Sequence, residues 1–126
     1  MIMILDSNII IYSVMPENSR LRSYLKENET ELAVSVITKL EVLGYHKLLP
    51  EDKEMFEGFF QTITVLPVSN FVIENAICLK QQRKMSLGDS LIAATALVNN
   101  DKLLTNNVED FIGISSLSVI SLKSVF

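Results

Sequence analysis

The chain has 126 residues, 48% of them hydrophobic and 21% charged, with a net charge of -4 and a single cysteine. That length suits one core and falls short of two ordinary domains, so one domain over residues 1–126 is expected, and the apolar content excludes a largely disordered chain. The acid excess argues against a protein that grips nucleic acid by general electrostatics, because phosphate contacts need Lys and Arg.

Cys78 alone cannot close an intramolecular disulfide, and no His/Cys cluster has zinc-ligand spacing. The apolar start MIMIL has no basic leader and is interrupted by Asp6 and Asn8 well short of a membrane span. A reducing, cytoplasmic setting without a membrane anchor is therefore expected.

In chain order, residues 1–5 form a continuous apolar run that reads as a strand, and Ser7 is an N-cap candidate for a helix to about residue 15. Pro16 breaks it. Residues 17–28 resume with Leu21, Tyr24 and Leu25 at helical spacing. Residues 32–36 read as a buried strand, after which Ser35 or Thr38 opens a helix that sets Leu40 and Leu43 on one face. Pro50, with Glu51 and Asp52 beside it, starts a helix carrying Met55, Phe56, Phe59 and Phe60 on one face. Residues 63–66 form a third strand, residues 69–83 a helix ending in the basic KQQRK (80–84), and residues 89–99 an apolar helix. Strands at 102–105 and 117–122 complete the series. Strands alternating with helices imply a layered α/β fold with a mainly parallel sheet.

In such a sheet, sites form outside the carboxyl ends of the strands. Asp6 stands at one of these ends. Glu41 lies about a turn into the helix after the second strand, on the face of Thr38. Asp89 follows Gly88 at an element boundary, and Thr105, Asn106 and Asn107 follow the fourth strand. Gathered carboxylates repel one another, and a divalent cation removes the conflict. An all-oxygen donor set suits Mg²⁺ or Mn²⁺ better than zinc. Such ions support phosphodiester hydrolysis. Each acid also has a structural reading: Asp6-Ser7-Asn8 and Asp89 as helix caps, Glu41 as a solvated helix residue.

These segments resemble a known family. LDSNIIIY resembles the opening Asp-x-Asn motif of PIN domains, SVITKLEVLGY the segment with their second acid, and GDSLIAATAL the segment with their third. LLTNNVEDF is similar to the strand and polar turn that follow. The matches run in order over nearly the whole chain and are closest to VapC-like toxins of toxin–antitoxin modules.

The resemblance implies a PIN-like three-layer fold, with the central sheet flanked by helices. It also implies a metal-dependent endoribonuclease with Mg²⁺ or Mn²⁺ on Asp6, Glu41 and Asp89, and with Asn8, Thr38 and Thr105 in support. RNA as substrate, a cognate antitoxin and a homodimer come with it. Many relatives place a fourth carboxylate after the fourth strand. Here that position reads as Asn107, which offers a neutral oxygen, with Asp110 as the substitute.

Several features carry two readings. KQQRK can face RNA phosphates or simply cap its helix. His46, the only histidine, lies more than a turn past Glu41 and reads as non-catalytic. The Met55–Phe60 stripe reads either as core or as a groove for a partner. The alternatives to a toxin are an RNA-processing nuclease without antitoxin and a PIN-like binding protein without catalysis.

Overall fold

The computed structural model describes residues 2–125. Met1, expected to open the first strand, lies outside them. Five strands, β1 (Met3–Leu5), β2 (Leu32–Ser35), β3 (Thr64–Leu66), β4 (Lys102–Thr105) and β5 (Val119–Ser121), form one sheet in the order β3-β2-β1-β4-β5. Every pairing is parallel, with Ile4 beside Ala33 and Leu103, and Leu5 beside Leu104. Among the described residues six α-helices accompany it: α1 (Ser7–Ser13), α2 (Ser19–Glu27), α3 (Val36–Leu43), α4 (Pro50–Thr62), α5 (Asn70–Gln82) and α6 (Leu87–Asn99).

Because side chains alternate along a strand, each strand feeds two cores. Ile4, Ala33 and Leu103 pack with Val72, Ala76 and Leu79 of α5 and with the buried face of α6. Leu5, Val34 and Leu104 pack on the opposite face with Ile9 and Ile10 of α1, Leu21 and Leu25 of α2, Val42 of α3, and Phe56 and Phe60 of α4. The result is the expected three-layer α/β fold.

The structure refines several local expectations. Asp6, not Ser7, is the N-cap of α1, its carboxylate accepting from the Ser7 N–H. Pro16–Asn18 form a 3-10 turn before α2. Ser35, not Thr38, caps α3, and the buried residues of that helix are Thr38 and Val42, whereas Leu40 is 65% exposed. The spacing of Leu40 and Leu43 describes one face correctly but does not say whether the sheet covers it. The aromatic stripe of α4 is divided: Phe56 and Phe60 are core, Phe59 is half-buried, and Met55 is 50% exposed.

α6 is buried at every position from Ser90 to Ala96. Small residues let it lie close to the sheet. Its hydroxyls are satisfied within the helix, Ser90 Oγ donating to the Leu87 carbonyl and Thr95 Oγ1 to the Leu91 carbonyl, at 2.7 Å each. Asn100 ends the helix in the left-handed conformation (φ 55) that Asn tolerates.

The chain leaves β3 at one edge, crosses through α5 and α6, and returns on the far side of β1 as β4. The strand order thus reverses between β1 and β4. A crevice opens at such a point beyond the carboxyl ends of the strands.

Candidate active site

Asp6 follows β1 directly at that reversal and is only 5% exposed. Its backbone N–H extends the sheet ladder by donating to the Leu104 carbonyl at 3.0 Å. One carboxylate oxygen accepts from the Ser7 N–H and the other from Thr105 Oγ1–H, both at 2.8 Å. Thr105, fully buried at the end of β4, accepts in turn from the Asn107 N–H at 2.9 Å. Burial raises the Asp6 pKa, the bonds from Thr105 and Ser7 lower it, and the charges of Glu41 and Asp110 raise it again. The net direction is upward.

Asp89 lies in the first turn of α6 and is not its cap. Ser86 Oγ caps the helix by accepting from the Asp89 N–H at 3.1 Å. The Asp89 pKa is raised to about 6, first by burial, then by the charges of Asp6, Asp110 and Glu41, with a Ser86 hydrogen bond offsetting part of this. Asp89 feels the charge of Asp6, and both acids feel those of Glu41 and Asp110, so these groups occupy one electrostatic neighbourhood. Strongly shifted groups of this kind cluster at functional sites.

Glu41 stands on the exposed side of α3, and its carboxylate reaches the first residue of α1. Ser7 Oγ–H donates to Glu41 Oε1 at 2.7 Å, and the same hydroxyl lies 3.2 Å from Thr38 Oγ1, a buried position. Asn8, the residue after Ser7, is half-buried in the first turn of α1. Among the described residues, no three His, Cys, Asp or Glu side chains are drawn into a ready-made metal cage. Mutual repulsion opposes such a cage when no cation offsets it.

The two candidates for the fourth position occupy different places. Asp110 lines a cleft of about 440 Å³ with Asp89, Ser86, Glu109, Met85, Arg83 and Lys84, and its charge acts on both Asp6 and Asp89. Asn107 is exposed and meets the site through its backbone N–H on Thr105. Of the basic run, Lys80 donates to the Met85 carbonyl at 2.9 Å and Arg83 to the Ile112 carbonyl at 2.6 Å. Lys84 lines the cleft. His46 is exposed and makes an edge-on contact with Tyr45 at 5.4 Å between ring centroids.

The sequence reading missed Ser7 and Gly88 as parts of the site. Ser7 had looked like a cap, and Gly88 like an element boundary. A Cβ on Gly88 would stand 2.5 Å from Glu41 Oε2, so the glycine makes room for that carboxylate. The only sequence signal for either was adjacency to an acid.

A wholly parallel sheet with acids near its strand-order reversal defines a small α/β protein with a candidate site in that crevice. The chain matches the PIN domain family over residues 3–114 and belongs to that family. PIN domains are in general nucleases.

Among solved structures it is similar to a toxin–antitoxin complex from Klebsiella pneumoniae, with 28% identity, a TM-score of 0.73, and coverage of 93% of this chain and 94% of that one. VapBC-1 from nontypeable Haemophilus influenzae is 25% identical, with a TM-score of 0.76 and coverage of 96% and 98%. DNA-bound VapBC from Salmonella typhimurium has a TM-score of 0.82 over the same shares, but at 22% identity it speaks to the fold alone. No curated protein matches the sequence.

Proposed function

We propose that this protein is a metal-dependent endoribonuclease and the toxin of a toxin–antitoxin pair. The observation that carries the reading is the coupling of Asp6, Glu41 and Asp89 at the β1/β4 reversal, where burial and like charge raise Asp89 to about 6. The donor chemistry fits a hard divalent cation: the groups are all oxygen and acidic, and they repel one another until a positive charge arrives.

Asp6, Glu41 and Asp89 would hold Mg²⁺ or Mn²⁺, which when bound supplies charge neutralisation at a phosphodiester and a more acidic water. The protein residues do the positioning. Thr105 and the Ser7 N–H fix both Asp6 oxygens while leaving each a further lone pair. Asp110, on the wall of the cleft that Asp89 also lines, is the fourth acid in this reading, and the Asn107 N–H braces Thr105. Lys84 offers the cleft a cation for a substrate phosphate.

The partner reading draws on the relatives, which include a toxin–antitoxin complex, and on a groove of about 660 Å³ between α1, the α3–α4 connection and α4. Ile11, Val14, Met15, Leu48, Leu49 and Phe56 line it. An antitoxin helix with apolar residues at helical spacing suits such a groove. A homodimer would cover the exposed Val36 and Leu40 of α3, Ile73 and Ile77 of α5, and Leu87 of α6.

The test is to sequence RNA ends after a brief pulse of expression, wild type beside Asp6→Asn. New ends at a recurring site in the wild type alone are the expected result. The same ends in both strains, or none in either, would replace this reading with that of a non-catalytic binding protein.

A further inference from the structure

Glu41 is the acid least constrained by its own element. It sits on an exposed position of α3, at the tip of a side chain with several rotatable bonds. Residues from two other elements meet its carboxylate. From the start of α1, Ser7 Oγ–H donates to Oε1 at 2.7 Å, and that hydroxyl is itself braced at 3.2 Å by the fully buried Thr38 Oγ1.

From α6, Gly88 faces the other oxygen: an added Cβ would stand 2.5 Å from Oε2, 3.2 Å from Cδ and 3.4 Å from Oε1. Among the described residues the only positive-φ glycine is Gly113. The backbone at Gly88 therefore accepts any L-residue, and the space taken by Glu41 is what calls for glycine there. Ser7 adjoins Asp6 and Gly88 adjoins Asp89, so the carboxylate is set between the sequence neighbours of the other two acids.

We propose that Ser7 and Gly88 are positioning residues that clamp the Glu41 carboxylate from two sides, one by a hydrogen bond and one by leaving room for it. The clamp rests on the structure alone. Its effect on metal binding rests on the proposed role of Glu41.

The test uses the full chain with Ser7→Ala, Gly88→Ala and Glu41→Ala, singly and combined, followed by thermal melts without metal and by Mn²⁺ titration. Gly88→Ala puts a better helix former in the first turn of α6 and displaces only the end of a flexible side chain. It should melt no lower than wild type yet bind Mn²⁺ about tenfold more weakly. A residue needed only for folding would lose stability and binding together.

Ser7→Ala should weaken Mn²⁺ binding to a similar extent, with Ser7→Thr restoring it. In the Glu41→Ala background both substitutions should leave the remaining Mn²⁺ affinity unchanged. Without metal, Ser7→Ala and Glu41→Ala should be non-additive in melting temperature, because they remove the same bond. Additive melts, or equal Mn²⁺ losses with and without Glu41, would overturn the clamp. Wild-type Mn²⁺ affinity in Glu41→Ala, with the melts still non-additive, would instead overturn the metal role of Glu41 and leave the clamp standing.

Discussion

Replacing Asp89 with Asn should make the metal-free protein more stable and make it indifferent to the metal. Raising this carboxyl from 3.8 to about 6 corresponds to about 3 kcal/mol between its protonation states. Asp89 is only half-buried, and solvent screening reduces this to about 1 kcal/mol. The sign follows from proton binding. The folded chain holds this proton more tightly than the unfolded chain, so the ionised carboxylate costs stability above about pH 6, and the cost fades as the pH falls toward 3.8. Asn resembles the protonated form at every pH. In chelator-treated protein at pH 7, Asp89→Asn should therefore melt about 3 °C higher than wild type, and below about pH 4 the difference should vanish. Saturating Mn²⁺ should reverse the order, since a ligand at a hundredfold its dissociation constant adds about 2.7 kcal/mol to the form that binds it. Scanning calorimetry at both pH values, with and without Mn²⁺, provides the measurement. A variant that melts at or below wild type at pH 7 without metal would refute the account of Asp89 as a strained acid, and equal Mn²⁺ stabilisation of both proteins would refute it as a ligand.

The fourth position can be settled by Mn²⁺-dependent cleavage of a model RNA. Asp110→Asn should raise the metal concentration needed about tenfold, whereas Asn107→Ala should impair cleavage less than Asp6→Ala, because Asn107 meets the site through its backbone. A large gain in metal affinity from Asn107→Asp, with Asp110→Asn silent, would return the fourth place to position 107. For the partner, Leu49→Glu adds charge to the groove between α1, the α3–α4 connection and α4 at an exposed side chain, without disturbing a buried one. It should weaken binding of the antitoxin by at least tenfold in calorimetry while leaving the melting temperature within a degree or so. Unchanged affinity would place the antitoxin elsewhere.

Part of the candidate site is legible from local pattern: apolar runs that stop at Asp6, Ser35 and Thr105 mark where a parallel sheet delivers polar groups. The strand order was not legible, although it decides that Asp6 and Thr105 become neighbours across 99 residues of chain. The clamp on Glu41 was hidden for the same reason, since Ser7 and Glu41 are 34 residues apart and either looks ordinary alone. Periodicity also gave faces without saying what covers them. Leu40 lies on a helical face that no layer reaches, whereas Phe56 and Phe60 of α4 turn into the core and leave Met55 outside. Asp110 resembled a capping residue in VEDF, and only the cleft it shares with Asp89 distinguishes it from one.

The acidic charge that argued against nucleic acid becomes intelligible once the basic run is followed to its partners. Arg83 donates to the carbonyls of Ile112 and Asp110, at 2.6 and 3.4 Å, and so ties the end of α5 to the turn that carries Asp110. Lys80 folds onto Met85, on the approach to α6. These cations shape the wall of the cleft, and with Arg83 engaged there, Lys84 is the lysine left lining it. With a net charge of -4, so few cations cannot draw in a polyanion by long-range attraction. In the proposed function the missing positive charge is that of the ion held by the acids. The repulsion that raises Asp89 and the weak electrostatic hold on RNA then have one remedy. On that proposal substrate binding and hydrolysis would both wait on the same cation, and any partner that places a basic side chain among Asp6, Glu41 and Asp89 would relieve the same repulsion while shutting the site.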